Sequence, residues 1–503
     1  AQTIYQGYAR ELYIQDSWRV TKNFTLEYGL RYSLISPWGS KWNNQVAFMQ
    51  RFWDPSKAPQ VSPTGSTIIP GTGDPYNGLV LPGSGFPDSA KGRVPAASDP
   101  AVQALFHGLP SGFNPLRTTN FQPRLSFAWD IFGNSKMALR GGWGQFNGVT
   151  GIAYSAWYLG GSRVPFVQNA SVNYGSADNP GSGASNNAVP VVGVGALPDQ
   201  YKIPTVDSYS LGLQSQLPFK TVLDVSYVGN VGRHLSYSRN LDYVAPEIQQ
   251  ANPSTNLNLL SPYPGYGSIN IVEPSTGSSY NAMQLLVKRR FSDLSFSFAY
   301  TLGKIIGYGI EGVAGGAQDP RNIRPERSEA EESRRNNIVA THTYNTPWFR
   351  NQKGFLGRVL GGWSINGVWT WTTGRLYDMS LTGAPGQVAT RPNVVGDWQV
   401  PGSEQTPFHY FNPAAFSRPA PYTYGNAGKF ILRGPGTFDL SAFALKEVRV
   451  AERMNLQLRL EAFNALNHPY YTDLATQFGT STFGQVGGVA TQRYLQLGVK
   501  LMF

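Results

Sequence analysis

Apolar and polar side chains alternate with a period of two in segments about ten residues long, and this alternation decides most of what the chain can fold into. In a strand, alternate residues point to opposite faces, so such a segment carries one apolar and one polar face. From Phe24, the positions Phe24, Leu26, Tyr28, Leu30, Tyr32 and Leu34 share one side, with Thr25, Glu27, Gly29, Arg31 and Ser33 opposite. The pattern returns at Leu125, Phe127, Trp129 and Ile131, and at Leu294, Phe296, Phe298, Tyr300 and Leu302. It returns again at Met454, Leu456, Leu458 and Leu460, and finally at Leu495, Leu497, Val499, Leu501 and Phe503. Thirteen strands are predicted, near 5–20, 24–36, 119–132, 136–147, 205–217, 221–235, 279–291, 294–305, 334–345, 361–373, 437–449, 452–465 and 491–503. Roughly ten residues suffice for a tilted strand to cross a bilayer, whereas strands of soluble sandwiches more often have about five or six.

The connections alternate in length. Short ones fall at Thr21-Lys22-Asn23, Gly133-Asn134-Ser135, Pro218-Phe219-Lys220, Ser292-Asp293 and Val450-Ala451, with a longer one over 346–360. Between them lie long segments at 37–118, 148–204, 236–278, 306–333, 374–436 and 466–490, rich in Gly, Pro, Asn and Ser. Compact soluble domains seldom carry such connections. Turns on one side and long loops on the other are the asymmetry of an outer-membrane barrel, with loops outside. Aromatics gather at strand ends: Trp18 and Phe24, Trp129 and Phe132, Trp348 and Phe349, and Trp38. Such rings favour the headgroup level of a bilayer. Packed in a soluble monomer instead, the apolar faces would leave large exposed patches. The expected fold is therefore all-β: a transmembrane antiparallel β-barrel lying in outer-membrane lipid.

Composition narrows the rest. The 503 residues contain no cysteine, which excludes disulfides, thiolate metal sites and a cysteine nucleophile. A net charge of +11 comes without any dense basic run, so a nucleic-acid partner is not expected. No stretch approaches 18 uninterrupted apolar residues, and Ala188 to Leu197 is broken by Pro190 and two glycines, so spanning helices are not expected. The start, Ala1-Gln2-Thr3-Ile4-Tyr5, lacks an initiator methionine and a signal sequence, as if a signal were removed or the chain began partway through a longer product. Strand direction points the same way. The last strand runs toward the turn side, and so does the first. Since bacterial barrels usually have even strand numbers with both termini in the periplasm, an odd number of strands is expected upstream.

The chemistry-bearing residues do not assemble a catalytic motif. His107, His234, His342, His409 and His468 form no metal-ligand spacing, and no nucleophile elbow or phosphate-binding loop follows a strand. Neither an enzyme nor a cofactor is expected. By parity Glu27, Arg31, Arg124, Asp130, Arg140, Asp224, Asp439, Arg459 and Glu461 face the lumen, where they hold a plug, line a substrate path, or pair across neighbouring strands. Loop aromatics Trp42, Trp53, Trp157, Tyr158, Tyr263 and Tyr266 are candidates for stacking on a ligand or for packing loops together. The mixed-sign run from Arg324 to Arg335 reads as a solvated face with a short helical turn.

Several segments carry a family likeness. ELYIQDSWRVTKNFTLEYGLRY (11–32), NFQPRLSFAWDIFGNSKMALRGGWGQF (120–146), DVSYVGNVGRHL (224–235), SSYNAMQLLVKRRFS (278–292), GGWSINGVWTWTTG (361–374), YFNPAAFS (410–417) and RMNLQLRLEAFNALNHP (453–469) resemble the Oar-like TonB-dependent receptors, in order and over nearly the whole chain. The ending LQLGVKLMF (495–503) resembles the signal read by barrel-assembly machinery, with Phe503 as its key residue. The resemblance implies a 22-stranded barrel with an N-terminal plug and a TonB-contacting segment, of which residues 1–503 are the C-terminal part. The nine other strands, the plug and the contact with TonB lie outside this sequence, in the same gene product or a separate chain. The implied function is transport or reception of a substrate too large for passive porins. The alternative is a structural barrel that anchors surface loops to a partner or surface layer.

Overall fold

The computed structural model describes residues 2–148, 159, 163–167, 189–200, 202–308, 317–381, 383, 385–451, 454–490 and 492–503. Thirteen long strands form one antiparallel ladder. They are β1 (Ala9–Arg19), β2 (Phe24–Ile35), β3 (Phe121–Asp130), β4 (Met137–Asn147), β5 (Thr205–Leu217), β6 (Thr221–Asn240) and β7 (Tyr266–Phe291). The rest are β8 (Leu294–Gly307), β9 (Asn336–Asn345), β10 (Trp363–Thr372), β11 (Thr437–Ala451), β12 (Met454–Phe463) and β13 (Tyr494–Met502). Each is found where alternation places one. Within the ladder each pairs with its neighbours in that order, so the sheet meanders through the chain.

Register aligns the apolar faces across the whole ladder. One row runs Leu26, Phe127, Gly141, Leu211, Tyr227, Met283 and Leu302, each opposite the next. Far from being covered by protein, this face stays open, with Leu211 and Tyr227 each 50% exposed. A solvent-facing apolar surface of this extent would be unfavourable by about 25 cal/mol for every Å² left in water, whereas hydrocarbon removes that penalty. Small gaps on the face are filled by neighbouring rings, as where a Cβ at Gly141 would meet Phe127, one at Gly229 would meet Tyr209, and one at Gly367 would meet His342. Aromatics mark both ends of the band. Trp18, Trp129, Trp348 and Trp363 lie toward the turns, and Trp143, Tyr209, Tyr227 and Trp371 toward the loops. The Tyr209 and Tyr227 hydroxyls both donate to Asn281 Oδ1, each at 2.7 Å, which satisfies them at the boundary. Trp38 departs from this girdle and lines a loop cavity with Phe113, Leu197 and His234.

Among the described residues the outer edges of β1 and β13 have no strand partner, and β13 does not pair back to β1. Every residue of β1 is exposed. Thus the sheet is a wide, open wall.

The dry core of the molecule lies in the loops. One cluster joins Phe48, Leu79, Leu81, Val102, Val194 and Ile269; a second joins Met379, Phe411, Phe416, Leu432 and Phe483. The first is reached because β6 and β7 run beyond their sequence-predicted ends, to Asn240 and from Tyr266, and carry the sheet out past the apolar band. Val192–Ala196 then pairs in parallel with β7, and Phe48 joins at Ala196.

Candidate functional site

Two tiers of polar chemistry stand on this frame: the inward face of the strands and the loop layer above it. On the inward face, Arg31 is ion-paired with Glu11 of β1. Ser33 donates to Glu11 Oε1 at 2.9 Å, and Gln122 Nε2 donates to the Ser33 hydroxyl at 2.6 Å. Six of the other predicted lumen charges meet neutral partners. Glu27 accepts from the Ser126 hydroxyl at 3.2 Å, and the Arg124 guanidinium lies 4.6 Å over the Phe146 ring. Asp224 and Asp439 accept from Ser226 and Ser441, two residues along the same strand. Arg459 Nε donates to Gln457 Oε1 at 2.6 Å. Asp130 has a local task, accepting from the Gly133 and Ser135 amides and so capping the turn after β3. Arg140 lines a turn-end cleft with Arg19, Lys22 and Lys136, and Glu461 sits in register between Phe443 and Gln496. The structure does not bring the nine together. They are spread along the wall, and Arg31 alone forms an ion pair with another described residue.

The loop aromatics pack against protein. Trp53 and Tyr263 have ring centroids 5.3 Å apart, and both surround Phe48. Tyr266 is 2% exposed, and its hydroxyl donates to the Asn77 carbonyl at 2.7 Å. Trp42 is buried against Ala90 and Val94. Trp157 and Tyr158 lie outside the described residues.

The run from Arg324 to Arg335 overturns its solvated reading. Its helical turn, Arg324–Glu326, is present, but Glu326 is 1% exposed. Both its carboxylate oxygens accept from Arg391, at 2.7 and 2.9 Å, and Arg391 itself is 3% exposed. The Gln318 amide and the Ala427 carbonyl complete the pair's hydrogen bonds. Three residues on, Glu329 accepts from Ser333, Arg335 and Arg433. Burial raises its carboxyl, but these donors outweigh burial and hold it down at about 2. Glu331 meets Arg375 from the same loop. One mixed-sign run therefore bolts segment 317–335 to segment 374–436, and the only sequence signal is its four closely spaced acids, of which Glu326, Glu329 and Glu331 make the contacts. A second buried acid, Asp242, accepts from the Ser261 hydroxyl and the Tyr263 amide. Burial, only partly offset by those donors, pushes it up to about 6.

This arrangement positions and clamps loops. No three His, Asp or Glu side chains gather as a metal site among the described residues, and no helix there is long and apolar enough to cross a membrane.

Residues 1–496 match the family described as outer membrane beta barrel domain. No curated protein matches the chain. Among solved structures, the siderophore receptor PiuA from Acinetobacter baumannii is 9% identical with a TM-score of 0.44, covering 100% of this chain and 44% of that one. The outer membrane transporter YddB from Escherichia coli is 11% identical with a TM-score of 0.45, covering 99% and 54%. The ferripyoverdine receptor of the outer membrane of Pseudomonas aeruginosa, bound to ferripyoverdine, is 10% identical with a TM-score of 0.43, covering 99% and 39%. The chain spans less than half the length of most of these proteins. With the match running over nearly all its residues and an apolar sheet face open to lipid, the chain belongs to the outer membrane beta barrel domain family and resides in the outer membrane.

Proposed function

We propose that this chain is the C-terminal part of an Oar-like TonB-dependent transporter, moving or binding a substrate too large for passive porins. The observation that carries the reading is the open wall of thirteen strands with both outer edges unpaired among the described residues. Unpaired backbone in hydrocarbon is unfavourable by several kcal/mol per group, so more strands are expected to complete a larger barrel. A barrel well beyond eight strands cannot be filled by its own side chains and needs a plug to stay sealed. Upstream strands, a plug and a TonB-contacting segment belong to that reading, in the same product or a separate chain. Barrel-assembly machinery would read Phe503, which ends the chain fully exposed. Glu27, Arg31, Arg124, Asp130, Arg140, Asp224, Asp439, Arg459 and Glu461 are candidate plug or substrate contacts, and loops carrying Trp42, Trp53, Trp157, Tyr158, Tyr263 and Tyr266 would recognise substrate. No catalysis and no cofactor form part of this proposal.

A surface-anchoring role is the second reading, favoured by the two hydrophobic cores that make the loop layer a folded body. The coding sequence upstream separates the two. A plug and a TonB-contacting segment there, with TonB-dependent uptake, support transport. Strands without a plug would leave anchoring as the function.

A further inference from the structure

The turn side carries one connection unlike the others. Residues 346–362 join β9 to β10 and contain a short helix, α1 (Gly354–Leu360). Its apolar side chains point away from protein: Phe355 is 81% exposed and Leu356 63%, with Val359 and Leu360 close to half exposed. Trp348 and Phe349, just before it, are 60% and 52% exposed. A mobile tail would explain such exposure, but this segment is strapped down. The Gln352 side chain donates to the Glu447 carbonyl at 2.8 Å and accepts from the Arg449 amide at 3.0 Å. Gly361 follows the helix where a Cβ would run into backbone carbonyls of Phe349 and Gly357, so the chain closes tightly on itself.

The straps also fix which side of the wall the helix occupies. Trp363 belongs to the apolar outward row of β10, beside Ile365, and its indole N–H donates to the Val359 carbonyl at 2.9 Å. Trp348 packs edge-on against Tyr344, on the outward row of β9, with centroids 6.4 Å apart. Lys446, outward on β11 opposite Trp363, donates to the Gly361 carbonyl. The exposed rings thus continue the lipid-facing surface at its turn-side rim. Lys353 and Arg358 stand exposed on the same segment. Apolar rings, Trp at the boundary and adjacent cations are what a helix lying in a phospholipid interface requires.

We infer that residues 346–362 form an interfacial foot, with Phe355, Leu356, Val359 and Leu360 embedded in the periplasmic leaflet and Lys353 and Arg358 on its phosphates. The occupant is lipid. It is neither the barrel lumen nor a protein partner. Because residues 1–503 contain no cysteine, single cysteines placed in them can be labelled selectively in the full-length protein purified from outer membranes, with any cysteine outside them replaced by serine. F355C and, separately, L356C are labelled with an environment-sensitive fluorophore and reconstituted into phosphatidylethanolamine–phosphatidylglycerol vesicles. N134C, in the polar turn after β3, is the comparison. The heat-shifted gel band reports folding of each variant, and two foot positions keep the test decisive if one misfolds. Expected are blue-shifted emission at both foot positions, loss of most of it with lipids spin-labelled near the headgroup, and protection from iodide, with N134C open to iodide. Foot labels that iodide quenches and spin-labelled lipid does not would overturn the inference. So would protection that appears only when a periplasmic protein extract is added.

Discussion

At the scale of single residues, the loop layer is held by charges that have left water. The Glu326–Arg391 pair is buried on both sides, and each partner has further hydrogen bonds. Removing one partner of such a pair is destabilising by about 3–5 kcal/mol, whereas replacing both by apolar groups is often near neutral. Glu326→Ala is therefore expected to loosen segments 317–335 and 374–436 together, seen as faster protease cleavage at both, while E326L/R391M cleaves near the native rate. Equally fast cleavage in the two variants would mean that the ion pair itself is required and that apolar packing cannot replace it. Two other acids make the layer pH-sensitive in opposite directions. Glu329 has a folded value near 2, below its ordinary 4.5. Its contribution is complete above pH 4.5 and is lost as pH falls toward 2. Asp242 is raised from 3.8 to about 6, so its buried charge is a penalty that is full above pH 6 and gone below 3.8. Protection from hydrogen exchange around 241–265, taken relative to the intrinsic rate at each pH, should rise between pH 7 and pH 4.5, and the D242N variant should abolish that rise. Below pH 4.5 the 317–335 clamp should open while the Asp242 region does not.

At the scale of the strand, parity divides two environments one residue apart. Leu211 lies in the outward apolar row between Gly141 and Tyr227, and Ser210 lies inward between Gly142 and Val228. A cation at the lipid midplane is destabilising by about 2–4 kcal/mol, whereas a lumen position tolerates one. Leu211→Arg should lower the unfolding free energy from vesicles, read by urea titration, by that amount, and Ser210→Arg should leave it nearly unchanged. Similar losses at both positions would refute the facing assigned to β5. This parity was legible in the sequence because it is a local property: two-residue periodicity survives however the loops fold. The upper half of β7 was not, because Gly, Ser, Asn and Pro interrupt Ile269, Ile271 and Val272 across Tyr266–Ser278, and its strand state depends on Val192–Ala196 pairing alongside. The loop cores were hidden for the same reason. Phe48 meets Tyr266, and Glu326 meets Arg391, across sequence gaps that no periodicity links. Among candidate site residues, strand parity could find Arg31 but not its Glu11 partner, since β1 lacks clean alternation around it.

At the scale of the molecule, the wall's geometry determines what the 503 residues can do by themselves. β1 brings eleven residues and β13 nine to the two outer edges. In hydrocarbon each unpaired amide or carbonyl there lacks the partner that water would supply. Curling the wall shut would join β1 to β13, which twelve antiparallel steps leave running in the same direction, so they could pair only in parallel. The alternative is to recruit another edge. Refolded alone into vesicles, the chain is expected to associate edge to edge, giving cross-linked species above 55.1 kDa and no compact heat-shifted band. Refolding with the product of the upstream coding sequence should replace these by a single compact species. The loop layer, with its own cores, should protect the same amides in both cases, because its contacts do not depend on closure. A compact monomer from the chain alone would show instead that β1 and β13 pair with each other, and the proposal of missing strands would fail with it.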